Sequence, residues 1–406
     1  MADFNMAAGI DVGNGYVKAK VKVGHSDPYE MDFPSCIAYT PAAGWVPADA
    51  SEEYVADLAN ELDCDVMSDA VAPSDRRRIL VGRRAAASGR IPIMFDINDA
   101  TPKCDDSLSG QFVCATLAAA AVRAYFEREG SLPESAIDVD AFVALALPIT
   151  DYAKCRDRYR AMFVSGSHTV HIHNFEREVS VNIRFRDVYV LPEGAAAQFA
   201  IGQLSQDVLQ SLLDDARAAG MPADDETPAT LVSYSNTVGV DIGEGTVNFP
   251  VFRNGKVNVE ASSSINRGYG TVLTDVVEAT RGLGYAPESR KELAEFMLKG
   301  DPTPRDRKIQ AKLQHVIDDN ADVFARDVIA EYTHVMRRTK LTSDVVWVYG
   351  GGADAVRDIL WPKLVEASKL DDDIYTPVIY LSSGLSRTLN RDGLFSVALT
   401  LARKGQ

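Results

Sequence analysis

No apolar run in this 406-residue sequence approaches the ~18 residues that a membrane-crossing helix needs, so no membrane partner is expected. The first residues, MADFNMAAGI, hold no basic segment leading into a long apolar core, and a secretory leader is not expected either. Cysteine is sparse. The five residues Cys36, Cys64, Cys104, Cys114 and Cys155 are scattered, odd in number and never spaced as CxxC. That argues against a disulfide framework and a cysteine zinc site, and a reducing cytoplasm is the expected location. Positive charge is also short: 42 Lys and Arg stand against 58 Asp and Glu, a net charge of -16. Such a body repels phosphate backbones, so direct nucleic-acid binding is not expected. There is no GxxxxGK[ST] run, no GxGxxG after a strand and no GxSxG elbow, which sets aside P-loop, dinucleotide and α/β-hydrolase chemistry. What remains is 46% hydrophobic and 25% charged, the balance of a folded chain of two to three domains.

The most informative feature is an internal echo. Residues 9–18 read GIDVGNGYVK, and 230 positions later residues 239–248 read GVDIGEGTVN. Each copy is an apolar strand, an Asp, a tight Gly-x-Gly turn and a second strand. Alternation in YVKAKVKVG predicts a half-buried strand, and Asn254-Gly255 predicts a hairpin turn after TVNFPVFR. Paired glycines let a turn come close to a ligand, and successive N–H groups there make a concavity for anions. The carboxylates of Asp11 and Asp241 would repel a phosphate directly, so a bridging Mg²⁺ is the natural third party. Two copies in one frame predict two similar domains with a polyphosphate held between their hairpins.

These hairpins resemble the two phosphate loops of the actin, heat-shock chaperone and sugar kinase ATPase superfamily. GIDVGNGYVKAKV looks most like the bacterial actin-like ParM/StbA plasmid-partition proteins. The resemblance implies an α/β, actin-like ATPase fold: two duplicated ribonuclease-H-like domains flanking a nucleotide cleft. It implies domain I over 1–192 plus 384–406, with a variable outer subdomain near 29–95, and domain II over 193–383. Residues 29–95 read as irregular, with Pro34, Pro41, Pro47, Pro73 and Pro92, apart from ILVGRRAA (79–86), which reads as a short strand entering a turn or helix. Residues 206–229 read as an exposed acidic loop containing Asp224, Asp225 and Glu226.

Further segments appear in the order of that superfamily. In LPEGAAAQFA (191–200), Glu193 stands at the mouth of an Ala-rich helix. Read locally it is an acid complementing a helix dipole; the resemblance makes it the group that orients the attacking water. Gly268 and Gly270 precede a helix whose N–H groups face a ligand, or form a plain cap. Strand DVVWVY, then Gly350, Gly351 and Gly352, then a helix capped by Asp354, resembles the adenosine-contacting motif. The last helix carries Asn390 and Gly393, where the family shows Asn-x-x-Gly between its two connecting helices. One departure stands out: Asn248 occupies the last acidic position of the second phosphate loop.

The implied site therefore has Gly13, Asn14, Gly15 and Gly243, Glu244, Gly245, Thr246 around the phosphates. Asp11 and Asp241 hold Mg²⁺ through waters, and Glu193 with Asp241 directs the water. Lys18 either approaches the phosphates or faces solvent. ATP is the implied nucleotide, with GTP left open because no base-contacting side chain is assignable. The implied function is an ATPase that polymerises into filaments for DNA (plasmid) segregation, binding itself and a separate DNA-binding adaptor. A small-molecule kinase of the same superfamily is the alternative, though no catalytic Asp signature was found for it. A complete chaperone was set aside because no peptide-binding segment follows the last helix. Two other clusters stand out: His168, His171 and His173 read as a metal site or a plain hairpin, and Arg76, Arg77, Arg78, Arg83, Arg84 and Arg90 as a solvated face or a subunit contact.

Overall fold

Each glycine hairpin joins two neighbouring strands of its own sheet. In the computed structural model, which describes residues 3–41, 46–96, 101–221, 223, 225–340, 342–371, 374–381 and 383–405, the chain divides into two units. The first is 1–201 with 389–406 and the second is 202–388.

The first unit carries β1 (Phe4–Val12), β2 (Tyr16–Val23), β3 (Tyr29–Pro34), β4 (Cys36–Tyr39), β5 (Asp63–Ser68), β6 (Arg78–Val81), β7 (Ile93–Met94), β8 (Ile137–Leu147), β9 (His168–Ile172) and β10 (Val179–Pro192). They form one sheet in the order β3-β2-β1-β8-β10-β9-β5-β6-β4-β7. β1 runs parallel to β8, β8 parallel to β10, and β2 and β3 fold back antiparallel. The predicted alternation of β2 holds: Val17, Ala19, Val21 and Val23 are buried, and the lysines take the other face. β1 is buried on both faces, as strands with parallel neighbours are. Met6, Ala8 and Ile10 join the main core with Phe112 and Val113 of the helix Ser107–Glu129. Ala7 packs with Leu394 and Ala398 of the helix Leu389–Lys404.

The second unit carries β11 (Thr237–Ile242), β12 (Val247–Phe249), β13 (Val251–Arg253), β14 (Lys256–Val257), β15 (Ser263–Ile265), β16 (Val345–Tyr349), β17 (Lys369–Asp371), β18 (Ile374–Tyr375) and β19 (Val378–Tyr380). β11 is central. β12 and β13 pair with it antiparallel, β16 pairs parallel, and β19 continues parallel to β16. This is the arrangement of β3, β2, β1, β8 and β10 repeated. Pro250 splits the returning strand in two, since proline lacks the N–H that a ladder uses. Asn254 (φ 52°) and Gly255 (φ 70°) form the predicted turn, with Arg253 paired to Lys256.

Three expectations are corrected. Residues 29–95 are mostly not irregular: five strands there extend the sheet, Pro34 ends one of them and Pro73 opens a short 3₁₀ turn. The stretch 206–229 is not a loop throughout. Gln206–Ala218 is a helix burying Leu209, Leu212, Leu213 and Ala216, a helical spacing that the acid-rich flanks obscure; Asp224 lies outside the described residues. Cys104 and Cys155 form a disulfide, which tertiary packing brings together over 51 residues with no local motif; Cys36, Cys64 and Cys114 are free and buried.

Most of the arginine island is occupied within its own unit. Arg76 meets Asp69, Arg83 meets Asp57, and Arg77 lies over the Tyr39 ring. Arg78 makes a fork with Asp63, Nε to Oδ1 at 2.6 Å and Nη2 to Oδ2 at 3.1 Å, and Arg84 approaches the same carboxylate. Asp63 is 2% exposed and Arg78 11%. Removing one partner leaves a buried charge without its main counter-ion. Arg78→Ala is expected to lower unfolding free energy by about 3 kcal/mol, read by urea denaturation.

The histidines are likewise taken up by the fold. His168 Nδ1 is 2.7 Å from Ser68 Oγ, His171 Nδ1 is 3.0 Å from Glu178 Oε1, and His173 Nε2 is 2.7 Å from Asp65 Oδ2. Burial lowers the His168 pKa, which favours a neutral ring inside the sheet.

Candidate functional site

The two glycine hairpins close in the same way. Gly13 N–H donates to Tyr16 O at 3.1 Å, and Gly243 N–H donates to Thr246 O at 2.9 Å. In each, the Asp sits one residue before the end of the preceding strand, Asp11 opposite Lys18 and Asp241 opposite Asn248. The repeat in sequence is thus a repeat in hydrogen bonding. Gly13 and Gly243 spend their amides on the turn itself, so the tips at Asn14–Gly15 and Glu244–Gly245 are the parts left to meet an anion.

In the first unit, Asp11 stands among charged neighbours. Burial raises its pKa; Lys18 opposes the rise, Glu193 adds to it and Lys103 opposes it. Lys18 lies directly opposite Asp11 in the β1–β2 ladder, so the two side chains share one face. The hydroxyl of Ser35 donates to Gly13 O at 2.6 Å and braces the turn from behind. Glu193 follows the end of β10, with its N–H on Leu147 O at 2.7 Å, and the helix Ala195–Ile201 starts two residues later. Its carboxylate is engaged by a side chain, not only by a helix dipole: Lys103 Nζ lies 2.8 Å from Glu193 Oε1. Lys103 is the member of this cluster that sequence reading missed. It precedes Glu193 by ninety positions in a segment with no motif, and only the fold joins them.

In the second unit, three separately predicted segments converge on the end of β11. Tyr269 N–H donates to Gly243 O at 3.0 Å and Gly270 N–H to Glu244 O at 2.8 Å. Gly352 N–H donates to Ile242 O at 2.8 Å. The helix runs Tyr269–Thr280, with Gly268 at its N-cap and Gly270 inside the first turn. This corrects the expected role of Gly270 as an amide donor to a ligand, because that amide already holds the hairpin. Gly268 and Gly270 instead permit close contact: a Cβ on Gly270 would lie 2.6 Å from both Arg290 Nη1 and Glu244 Cγ. Gly350 has φ 107°, and a Cβ there would lie 2.6 Å from Asp241 Oδ1, so the triple glycine passes directly over the buried carboxylate. Asp354 does not cap the following helix; it lies in a short 3₁₀ turn, Asp354–Val356, with no side-chain cap. Asn248 is buried, accepts from Ser264 Oγ at 2.8 Å and leans toward Thr246 Oγ1 at 3.4 Å. A neutral amide here spares Asp241 a second carboxylate directly across the ladder.

The donor set suits a hard cation bound mainly by other ligands. In the second unit Asp241 offers carboxylate oxygens, and Gly350 keeps side-chain bulk off it. Among the described residues no group of three or more His, Cys, Asp or Glu side chains gathers to hold a metal. Magnesium fits this pattern, since it keeps several waters and takes one or two carboxylates plus phosphate oxygens.

A family model for the N-terminal domain of actin-like proteins matches residues 9–195. One for the C-terminal domain of archaeal actin homologues, MreB-like, matches residues 239–361. No curated protein matches the sequence. Among solved structures, the actin-like protein Alp7A is similar at 15% identity, covering 98% of this chain and 97% of that one, with a TM-score of 0.65. Bacillus thuringiensis ParM with ATP is similar at 16% identity, covering 98% of each chain, with a TM-score of 0.59. A non-polymerisable quadruple mutant of pCBH ParM is similar at 16% identity over 98% of this chain and 99% of that one, TM-score 0.56. With an actin-like N-terminal domain, an MreB-like C-terminal domain and the actin-like ATPase fold along its length, the chain belongs to the actin-like proteins.

Proposed function

We propose that this chain binds and hydrolyses ATP and assembles with ATP into filaments that move or position DNA, most simply a plasmid. The observation that carries the reading is the duplicated hairpin: the same Gly N–H to carbonyl closure, after a strand whose next-to-last residue is Asp, in each of two like-built units. The tip amides at Asn14–Gly15 and Glu244–Gly245 bind phosphate oxygens, and Thr246 adds a hydroxyl. Lys18 supplies positive charge beside Asp11. Gly350, Gly351 and Gly352 give a flat backbone surface for the adenosine. Bound magnesium would neutralise charge on the phosphates, held by Asp11 and Asp241 through waters. Glu193 orients the attacking water and takes up its proton. Phosphoryl transfer needs mostly alignment and charge stabilisation, so these groups suffice.

Two similar structures support the assembly and nucleotide parts: one is a ParM solved with ATP, the other a ParM altered to be non-polymerisable. The net charge of -16 supports contact with DNA through an adaptor protein, not directly. We place the protein in the cytoplasm, where ATP and such cargo are found, although the Cys104–Cys155 disulfide runs against the usual reducing state of that compartment; among the described residues no helix is long and apolar enough to cross a membrane.

The test is sedimentation and light scattering of the full chain with magnesium and ATP. Polymer is expected with ATP and with a slowly hydrolysed analogue, and little without nucleotide. A protein that stays monomeric while phosphorylating a sugar or small acid would move the assignment to the kinase class.

A further inference from the structure

We propose that Lys103 is a positioning residue for Glu193, holding its carboxylate in the orientation that directs water; this role rests on the ATPase reading above. Lys103 Nζ lies 2.8 Å from Glu193 Oε1, with the lysine side chain 7% exposed and the glutamate 16%. A buried ion pair adds little stability for its cost in lost hydration, and apolar side chains in its place are often as good. What it does supply is a fixed geometry.

The surroundings are built to hold that geometry. Lys103, Cys104 and Asp105 form one short 3₁₀ turn, and each is tied to the same helix, Ile149–Val164. Lys103 N–H donates to Asp151 Oδ2 at 2.9 Å, Cys104 is bonded to Cys155, and Asp105 receives Arg158 Nη2 at 2.8 Å. Positions 151, 155 and 158 follow the i, i+4, i+7 spacing of one helix face. Ser109 Oγ grips the Lys103 carbonyl at 3.1 Å, and the ammonium lies 5.1 Å from the centre of the Phe95 ring. On the other side, Glu193 N–H is fixed to Leu147 O, two residues before that same helix begins. Both partners are therefore referenced to one rigid segment, β8 and the helix after it. A glutamate has three side-chain torsions to order before it can aim at a water. Lys103 removes that freedom in advance, which is how supporting residues hold a reactive group within a fraction of an ångström.

The experiment uses the full chain with Lys103→Met, Lys103→Arg, Glu193→Gln and the double variant Lys103→Met/Glu193→Gln. Lys103→Met is expected to lower kcat about 10- to 100-fold, the scale of a small misplacement. KM and the affinity for a fluorescent, slowly hydrolysed ATP analogue should stay within about threefold. Lys103→Arg should restore most of the rate. The double variant should turn over no more slowly than Glu193→Gln alone, because a residue acting only through Glu193 has nothing left to position. Lys103→Gln, which keeps a donor without charge, takes the place of the methionine variant if that one fails to fold. Unchanged kcat in Lys103→Met would overturn the role, as would a further loss in the double variant. Loss of analogue affinity in parallel with kcat would overturn it too. An unaltered chain with no ATP turnover at all fails the ATPase reading itself, a result distinct from these.

Discussion

Glu193→Gln leaves ATP binding in place and lowers the rate of hydrolysis about 10³-fold, the scale of losing a positioned general base. The glutamine keeps an oxygen for Lys103 Nζ, which the wild-type carboxylate meets at 2.8 Å, so the local packing persists. It cannot take a proton from water, so the loss falls on the chemical step. Alanine is the poorer choice: it strands the Lys103 ammonium, 7% exposed, without its partner, and adds a folding defect of about 3 kcal/mol to the chemical one. Single-turnover phosphate release and binding of a fluorescent ATP analogue separate the two effects. The expected pattern is slow release with affinity within about threefold of the unaltered chain. On the filament reading, polymer formed with ATP should also persist longer in this variant, since hydrolysis is what destabilises it. Turnover at the normal rate would remove Glu193 from the chemistry.

The hairpins were legible in the sequence because their requirements are local. A tight turn near an anion restricts residue type at each of five or six consecutive positions, and Gly13, Gly15, Gly243 and Gly245 record that restriction twice. The Ala-rich run QFVCATLAAAAVRAYFERE (111–129) reads as a helix and DVDAFVALALP (138–148) as a buried strand for a similar reason, since such runs leave few alternatives, and they lie in the helix Ser107–Glu129 and in β8. The partner of Glu193 was not. A lysine at position 103 carries no mark of what lies across a fold, and its neighbours Cys104 and Asp105 find Cys155 and Arg158 only through packing. Four of the five strands within 29–95 were hidden differently; ILVGRRAA (79–86) alone reads as a short strand entering a helix, as it is. Those four are mostly four to six residues long, too short to show a period. Gly270 shows a third limit. The sequence placed a small residue at a helix start correctly, yet whether its amide faces a ligand or the Glu244 carbonyl depends on where the hairpin sits.

Gly393→Val is expected to lower the stability of the first unit by about 4 kcal/mol and its melting midpoint by roughly 10 °C. Gly393 is buried in the helix Leu389–Lys404, and a Cβ there would overlap the Ala196 carbonyl oxygen and lie 2.5 Å from its carbon. Both atoms are backbone, so no rotamer change relieves the overlap; one helix must move. The same helix lies so close to β1 that a Cβ on Gly9 would overlap the Phe395 amide. Displacing it therefore disturbs both the strand that carries Asp11 and the segment that carries Glu193, three residues before Ala196. Stability and ATP turnover should fall together, unlike the clean loss of rate in Glu193→Gln. Gly284→Ala is the control: a Cβ there meets nothing within 4 Å, and a change under about 0.5 kcal/mol is expected. Equal melting of Gly393→Val and Gly284→Ala would mean that the last helix does not rest on Ala196. The C-terminal return of the chain would then have no part in fixing Glu193.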